Sequence, residues 1–327
     1  MHTIDLGKYK CRTDLVVEGD GYKSDSSYTV NKNISVEKKC DDSGRYVTIS
    51  FLDVTDKDNY KMVEKTFITE LKEILGDVKD KKILVVGLGN YKSTPDALGP
   101  DTINNILVTR HLFSLGEVED GYSNVCSFKP GVTGVTGIET SELINNLVSF
   151  LKIDLLIAID ALAARSIERV NRTIQISDAG ISPGSGVYNN RGEISTKTLN
   201  IPVIAIGVPT IVEATVIVSD TFNYMLKHFS YKLENINNPK LKLVMEDKQD
   251  YRGQEINLSD IDKERILGMV GTLSKEELDK LFYEVLTPIN FNMMVTPKEI
   301  DFIIEKLSML IGNGINKSLH DAFNTTN

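Results

Sequence analysis

Two aspartates in this sequence stand where a carboxylate can act chemically. Asp96 lies within residues 83–101, where a short apolar run predicts a buried strand and the glycines and prolines that follow predict a stiff turn. Asp160 directly follows a second apolar run, Leu155–Ile159. The carboxyl ends of parallel strands meet at one edge of an α/β sheet, which is where such sheets place their ligands. We therefore expect both carboxylates at the same edge.

A pair of acids in this arrangement can activate water for the hydrolysis of an amide. Two carboxylates close enough to share a proton have split apparent pKa values, so one serves as base and the other as acid. A structural interpretation is also open, in which one aspartate caps a helix and the other binds the Ala-Ala-Arg turn behind Asp160. The spacing of the two residues does not decide between these interpretations.

Several other kinds of site are excluded by the residues present. Gly87 and Gly89 are followed by Lys92 where a dinucleotide fingerprint needs a third glycine, and no Gly-Lys-Ser/Thr follows to form a phosphate loop. The chain has four histidines, none of which falls at a predicted strand end. A Ser-His-Asp triad and a histidine-containing metal site are therefore not expected, and we predict no metal and no cofactor.

Two further groups of polar residues cluster on the same side of the predicted sheet and are candidates for binding a substrate. Thr133 and Glu139 lie in a glycine-rich loop, together with Thr136 and Thr140. Arg165 and Arg169 follow Asp160 and would share one face of a helix if residues 161–170 were helical. The arginines either hold acidic side chains of a substrate or pair with acidic residues of the chain itself.

Composition places the chain among cytosolic globular proteins. Its 327 residues can bury a large core, and its net charge of −9 argues against a surface that binds nucleic acid. Three scattered cysteines without metal-ligand spacing fit a reducing compartment. The N-terminus is too polar for a signal peptide, and no apolar run approaches the length of a membrane span. We expect a cytoplasmic protein that contacts neither nucleic acid nor membrane.

The order of predicted elements indicates an α/β fold: a single large domain with a twisted, mostly parallel sheet, helices on both faces, an N-terminal arm and a helical C-terminal segment. Residues 1–44 are expected to lie on the surface as a polar arm, followed by an edge strand. The α/β core spans about 80–230 and the helical C-terminal part about 258–322. The predicted strands are Arg45–Leu52, 83–88, Val125–Phe128, Leu155–Ile159, Thr173–Ser177 and Ile201–Ile206; the predicted helices are Asn59–Leu75, 101–113, 139–151, 161–170, Thr210–His228, Asp260–Met269, one behind Ser274, and Thr296–Leu319.

Six blocks of the sequence resemble the germination protease family of spore-forming bacteria, and the resemblance runs nearly from end to end. The blocks are Val85–Asn90, Thr94–Pro100, Pro130–Thr140, Ile159–Arg169, Ile176–Gly186 and Met293–Glu299. The resemblance implies a fold similar to that of the hydrogenase-maturation proteases. It also implies an atypical aspartic endopeptidase whose acids are Asp96 and Asp160. Its substrates would be small acid-soluble spore proteins, degraded in the cytoplasm of the forespore or spore core when a spore germinates.

The family is made as a zymogen that removes its own N-terminal arm, and its substrates are cut after Glu and before an apolar residue, with an acid further on. Asp14-Leu15-Val16-Val17-Glu18 has the same arrangement, with Asp14 in place of the preferred Glu. The resemblance thus implies self-cleavage between Asp14 and Leu15, which makes 1–14 a propeptide arm and 15–327 the peptidase domain. It also implies a homotetramer.

Two alternatives to this function remain open from the sequence. A metal-assisted peptidase of the maturation type would lose activity when metal ions are chelated, although the chain has no histidine that matches the nickel-reading one of those proteins. A non-catalytic protein that binds peptides at the same sheet edge would keep its N-terminal arm intact.

Overall fold

The structure of the protein, a computed structural model, describes residues 14–19, 21–184, 192–237, 251, 255–286 and 293–324. Two compact units are present. The sheet unit lies within Arg12–Val212 and Thr296–Asn327, and the helical unit lies within Glu213–Val295. Residues 1–13 of the predicted propeptide arm lie outside the described residues.

A mixed sheet forms the centre of the sheet unit. Its strands are β1 (Ser26–Asn31), β2 (Ile34–Asp41), β3 (Gly44–Phe51), β4 (Lys82–Gly87), β5 (Asn124–Phe128), β6 (Leu155–Ala164), β7 (Thr173–Ser177) and β8 (Val203–Glu213). They lie in the order β1-β2-β3-β7-β8-β6-β4-β5. The pairs among β5, β4, β6 and β8 are parallel, whereas the pairs from β8 through β7, β3 and β2 to β1 are antiparallel. The α/β fold class is confirmed, and the predicted parallel sheet carries an antiparallel extension.

Helices cover both faces of this sheet, as the sequence predicts. Those of the sheet unit are α1 (Lys57–Leu75), α2 (Leu98–Ile103), α3 (Arg110–Leu115), α4 (Thr133–Thr136), α5 (Thr140–Leu151), α6 (Thr196–Leu199) and α10 (Ile300–Leu319). One core joins α1, α2 and α10 to one face of the strands, and Phe67 of α1 is fully buried in it. A second core joins α5 and α6 to the other face through Ile144 and Leu199. Successive strand residues therefore contribute to the two cores in turn.

The helix α1 shows how local signals set an element. Apolar residues at Val63, Phe67 and Leu71 recur four apart and are all fully buried. The Asp56 carboxylate accepts a hydrogen bond from the Asn59 amide at 2.8 Å and caps the first turn. Gly76, at a φ of 61°, ends the helix in a backbone conformation that favours glycine. The predicted helix Asn59–Leu75 is confirmed.

The expectation of a polar surface arm over residues 1–44 is wrong for the described part of that range. Residues of β1 and β2 form a hairpin that extends the sheet, and Ile34 and Val36 of β2 are buried in the core. The charged residues that suggested an arm alternate with these apolar ones, as they do in a strand with one covered face. The strand β3 consequently lies between β2 and β7 and is not an edge strand.

The elements around Asp160 also differ from their predicted bounds. The strand β6 runs on to Ala164 and includes Asp160, and the predicted helix over 161–170 is absent. The strand β8 likewise continues to Glu213, beyond the predicted end at Ile206. Both extensions pair with each other through residues 161–164 and 208–212, so tertiary pairing overrides the helical propensity of the Ala-Leu-Ala-Ala segment.

The predicted helix over 101–113 is two short helices instead. The first, α2, begins at Leu98, three residues before Asp101, so Asp101 lies inside the helix and does not cap it. Burial raises the pKa of the Asp101 carboxyl, with Lys129 acting in the opposite direction. The second, α3, ends at Gly116 in the left-handed conformation.

The helical unit contains α7 (Ala214–Glu234), α8 (Asp260–Leu267), α9 (Lys275–Leu286) and a short strand β9 (Met294–Val295). The rings of Phe222 and Phe282, whose centroids lie 5.7 Å apart, pack α7 against α9. A capping box opens α9, where the sequence predicts a helix behind Ser274. The Ser274 amide donates to the Glu277 carboxylate at 2.8 Å, and the Glu277 amide donates to the Ser274 hydroxyl at 3.3 Å.

None of the helices within the described ranges combines the length and apolar character that crossing a membrane requires.

Candidate active site

The loop that presents Asp96 is closed on itself by hydrogen bonds. The amide of Asn90 donates to the backbone oxygen of Asp96 at 3.0 Å and to its carboxylate oxygen Oδ2 at 2.8 Å. Gly89 makes this closure possible, because a Cβ there would lie 2.1 Å from the Asp96 carbonyl oxygen and its φ is 107°. The hydroxyl of Thr210 on β8 donates to the Pro95 carbonyl at 2.6 Å and ties the loop to the sheet. The half-buried Asp96 carboxylate is thus held in one orientation.

Gly99 brings this loop against the strand that contains Asp160. A Cβ at Gly99 would lie 2.3 Å from the Leu88 carbonyl oxygen and 2.6 Å from that of Ile159. No residue but glycine fits so close to two backbones. The Leu88 amide in turn donates to the Ile159 carbonyl at 2.8 Å. A backbone hydrogen bond therefore links Leu88, at the start of the loop that contains Asp96, to Ile159, the residue before Asp160.

Asp160 lies within β6, where it is only 5% exposed. Its Oδ1 accepts a hydrogen bond from the amide of the next residue, Ala161, at 2.9 Å. β4 and β6 are parallel neighbours, and Gly87 of β4 pairs with Ile159 of β6. Asp96 lies in the loop after Gly87, and Asp160 directly follows Ile159. The two aspartates therefore lie at the same end of adjacent strands, where the sequence predicts them, although Asp160 is part of the strand and does not follow it.

The described end of the N-terminal segment docks on this edge of the sheet. The Asp14 amide donates to the Ala163 carbonyl at 3.1 Å, and the Ala163 amide donates to the Asp14 carboxylate at 2.9 Å. The Leu15 side chain is 2% exposed. The residues on either side of the predicted self-cleavage bond are thus bound beside the last residues of β6, three positions beyond Asp160.

Glu18 also belongs to this segment and is bound at the same sheet edge. The Arg165 amide donates to the Glu18 carboxylate at 2.6 Å, and its guanidinium donates to the Glu18 carbonyl at 3.1 Å. The Arg169 Nε lies 3.8 Å from the same carboxylate. Both arginines meet the acid although they do not lie on a helix, so the predicted helical spacing is wrong while the predicted contact with an acid is present.

Gln175 on β7 also binds the segment, although it is not among the residues predicted from the sequence. Its side-chain nitrogen donates to the Asp14 carbonyl at 3.2 Å, and its side-chain oxygen accepts from the Val16 amide at 2.7 Å. Within the all-buried strand Thr173–Ser177, a long polar side chain is the signal that could have found it, since buried amides need partners.

Thr133 and Glu139, the other two predicted binding residues, lie together. The Thr133 hydroxyl donates to the Glu139 carboxylate at 3.3 Å, and the Gly192 amide donates to the second oxygen of that carboxylate at 3.3 Å. Both residues are half-buried. Thr133 begins the short helix α4, and Glu139 ends the turn that follows it.

The described residues offer no group of three His, Cys, Asp or Glu side chains that could hold a metal ion. Cys40 and Cys126 are free thiols, and burial raises the pKa of Cys126.

The C-terminal edge of this α/β sheet carries two aspartates and binds a segment of the protein's own chain. This is the arrangement of a protein that binds peptides. A family model for germination protease matches residues 18–327. Similar proteins include the germination protease of Bacillus cereus (strain ATCC 10987 / NRS 248), 44% identical over 99% of this chain and 97% of the relative. That of Bacillus mycoides (strain KBAB4) is 43% identical over the same shares of the two chains. The chain belongs to the germination protease family and is a peptidase of spore germination.

A solved structure, that of the NiFe hydrogenase maturation protease HycI from Thermococcus kodakarensis KOD1, is 17% identical. The match covers 43% of this chain and 80% of that one with a TM-score of 0.28, which is too low to support a statement about this protein.

Proposed function

We propose that this protein is an aspartic endopeptidase made as a zymogen, in which Asp96 and Asp160 activate the attacking water. It first cuts its own Asp14–Leu15 bond and then initiates the degradation of small acid-soluble spore proteins. Its work is done in the cytoplasm of the forespore or spore core, where those substrates lie.

The observation that supports this proposal is the way in which residues 14–18 are bound. Asp14 is engaged by Ala163, Leu15 is buried, and Glu18 is engaged by Arg165. These are the three positions that the cleavage pattern of the family singles out: the residue before the bond, the apolar residue after it, and the acid further on. The segment is therefore held as a substrate would be, on the edge that carries the two aspartates.

The proposed chemistry uses one carboxylate as base and the other, protonated, as acid. The base takes a proton from water as its oxygen bonds to the carbonyl carbon of Asp14, while the acid polarises the carbonyl oxygen. Collapse of the tetrahedral intermediate breaks the bond from this carbon to the Leu15 nitrogen, which takes up the proton that the base removed from water. The products are a chain ending in Asp14 and a chain beginning with Leu15.

Charge around Glu18 supports selection of acidic substrates. A cavity of about 420 Å³ beside Glu18 is lined by three arginines, Arg165, Arg169 and Arg172, and by one further acid, Glu168. Arginine binds carboxylates through planar N–H groups and is always charged, so the cavity favours an acid at this position and beyond it. Asp14 in place of the preferred Glu has a shorter reach, which suits a slow, regulated self-cleavage.

The assembly implied by the family is a homotetramer. Light scattering coupled to gel filtration tests it directly: a tetramer has four times the 36.4 kDa mass of the chain, and a mass of one chain would contradict it.

The experiment that tests the function is incubation of the purified protein with a small acid-soluble spore protein, followed by N-terminal sequencing of the products. We expect new N-termini at apolar residues that follow Glu, at a rate that EDTA does not change, because two carboxylates perform both proton transfers. Loss of activity with EDTA and recovery with a divalent metal would favour the metal-assisted alternative. An uncut substrate and an intact arm would favour the peptide-binding alternative.

A further inference from the structure

The Gln175 side chain bridges the two peptide groups on either side of Leu15. It donates to the carbonyl of Asp14 and accepts from the amide of Val16, at 3.2 and 2.7 Å. The carbonyl of Asp14 is the one that would be attacked if the chain cuts itself between Asp14 and Leu15. Gln175 is therefore the residue whose side-chain donor is aimed at the oxygen of the scissile bond.

The orientation of this amide follows from the groups it meets. The amide of Val16 can only donate and the carbonyl of Asp14 can only accept, so the amide oxygen must face Val16 and the nitrogen must face Asp14. A side chain with one donor and one acceptor on the same carbon fits both groups at once, whereas a carboxylate fits only one of them.

The sheet register places Gln175 in line with one of the two acids. Gly207 of β8 pairs with Asp160 of β6 on one side and with Gln175 of β7 on the other. Residues paired across adjacent strands point to the same face. Asp160 and Gln175 therefore share a face at a separation of two strand spacings, about 10 Å, which is wide enough for a peptide group between them.

We propose that Gln175 is a catalytic residue that stabilises the oxyanion formed from the Asp14 carbonyl, and from the corresponding carbonyl of a protein substrate. This inference rests on the proposed cleavage of the Asp14–Leu15 bond. It adds a second hydrogen-bond donor to the carbonyl oxygen that the protonated acid polarises.

The chemistry of the step explains why a donor at this place matters. As the water oxygen bonds to the carbonyl carbon, the C=O π electrons move to the carbonyl oxygen, which becomes negative. A preformed N–H donor in a site shielded from water stabilises that charge without reorganising. Gln175 is 9% exposed, so its donor is shielded in this way. When the C–N bond breaks, the electrons return and the hydrogen bond weakens again.

The test separates the donor of Gln175 from its acceptor. Gln175→Glu keeps the size of the side chain and an oxygen for the Val16 amide but removes the donor to Asp14. We expect self-cleavage, followed as the intact mass of the full chain over time, to slow roughly 10²–10³-fold, the loss typical of a missing oxyanion donor. Gln175→Met, which has a similar length and no charge, should also be slow and guards against a variant that fails to fold. Ser177→Ala is the matched control on the same strand and face. It removes a hydroxyl that accepts from the Ala179 amide, a hydrogen bond that does not involve residues 14–18. It should cleave at the parental rate.

Docking of residues 14–18 is measured separately by hydrogen exchange of the Asp14 and Arg165 amides, both of which donate across the contact between this segment and the sheet. Slow cleavage in folded variants that still protect these amides supports the proposal. Parental cleavage rates in Gln175→Glu or Gln175→Met, or slow cleavage together with lost protection, would overturn it. A parent protein that never yields an N-terminus at Leu15 would overturn the proposed function, and this inference with it, whereas a parent that cleaves confines any failure to Gln175.

Discussion

At the scale of single residues, the polar groups of the candidate site are oriented by the backbone. Asp96 accepts from Asn90, and Asp160 accepts from Ala161. Each of these bonds leaves one carboxylate oxygen outside it. Asparagine has one oxygen of the same kind, so it can keep the orienting bond while it loses the ability to take up a proton. Asp96→Asn and Asp160→Asn can therefore keep these two orienting hydrogen bonds.

Recognition of Glu18 is the property that single substitutions test most simply. Glu18→Gln removes the carboxylate charge, and Arg165→Gln removes the guanidinium hydrogen bond to the Glu18 carbonyl. We expect each to slow self-cleavage roughly 10- to 100-fold, the range typical of hydrogen bonds that involve a charged group. The rate is measured from the intact mass of the full chain over time.

The matched control for this charge change is Arg45→Gln. Arg45 also pairs with a carboxylate, that of Asp178 at 2.7 Å, but neither residue of this pair belongs to the segment of residues 14–18. Its loss should leave the rate unchanged. Equal self-cleavage rates in the parent protein, Glu18→Gln and Arg165→Gln would show that the acid at position 18 is not recognised.

The residues of this site differ in how far the sequence could predict them. Asp96 and Asp160 follow apolar runs, and that pattern is enough to place them at one sheet edge. Arg165 and Arg169 were selected by a helical spacing that the structure does not have, and they meet at Glu18 because the turn after β6 folds over the segment. Gln175 leaves no mark in spacing, since its partners are backbone groups more than 150 positions away.

At the scale of elements, the site depends on how closely α2 approaches β4 and β6. Gly99 lies against the carbonyl oxygens of Leu88 and Ile159, and no flexible side chain is available to move away. The loop of Asp96 immediately precedes α2, so a displaced helix would also displace that carboxylate. Stability and activity are therefore coupled at this contact.

Gly99→Ala should lower the free energy of unfolding by about 1–3 kcal/mol or more, because the added methyl group has no space. It should also slow self-cleavage. Urea unfolding measures the first effect and intact mass the second.

Gly134→Ala is the control for this substitution. Gly134 lies in α4, and a Cβ there would meet nothing within 4 Å. It should keep the stability of the parent protein or raise it slightly, because alanine favours a helix. A Gly99→Ala protein as stable and as active as Gly134→Ala would contradict the close approach.

The elements also show where prediction from sequence fails and why. Helices with a regular apolar repeat, such as α1, were predicted nearly to the residue. The hairpin of β1 and β2 was missed because its apolar residues alternate with charged ones, and only the pairing with β3 shows which face is covered. The extension of β6 was missed because alanine and leucine favour a helix until β8 supplies hydrogen bonds alongside.

At the scale of the whole molecule, a buried histidine couples folding to pH. His320 is fully buried after α10, and its Nδ1 accepts a hydrogen bond from the Ser123 amide at 3.1 Å. Burial lowers the pKa of His320 below its ordinary value of 6.5, so the folded state favours the neutral ring. Above pH 6.5 the ring is neutral in both states. As the pH falls below 6.5, the unfolded chain takes up a proton that the folded chain does not, and stability is lost.

We therefore expect the free energy of unfolding to fall with decreasing pH below about 6.5, by up to about 1.4 kcal/mol per pH unit from this group. His320→Asn keeps an acceptor for Ser123 and should remove this part of the pH dependence. Urea unfolding between pH 7 and pH 5 measures it. His111→Asn, at an exposed histidine, should keep the slope of the parent protein. A His320→Asn protein with the same slope would contradict the assignment.

The central claim is that Asp96 and Asp160 together perform the hydrolysis. The most direct measurement is the intact mass of the purified full chain incubated at mildly acidic pH, beside Asp96→Asn and Asp160→Asn. We expect a new N-terminus at Leu15 in the parent protein and a loss of roughly 10²–10⁴-fold in rate in each variant, at unchanged melting temperature. Cleavage at the parental rate in both variants would contradict the claim. It would mean that the acids are structural and that the catalytic groups lie elsewhere, for instance among the hydroxyls of residues 129–140.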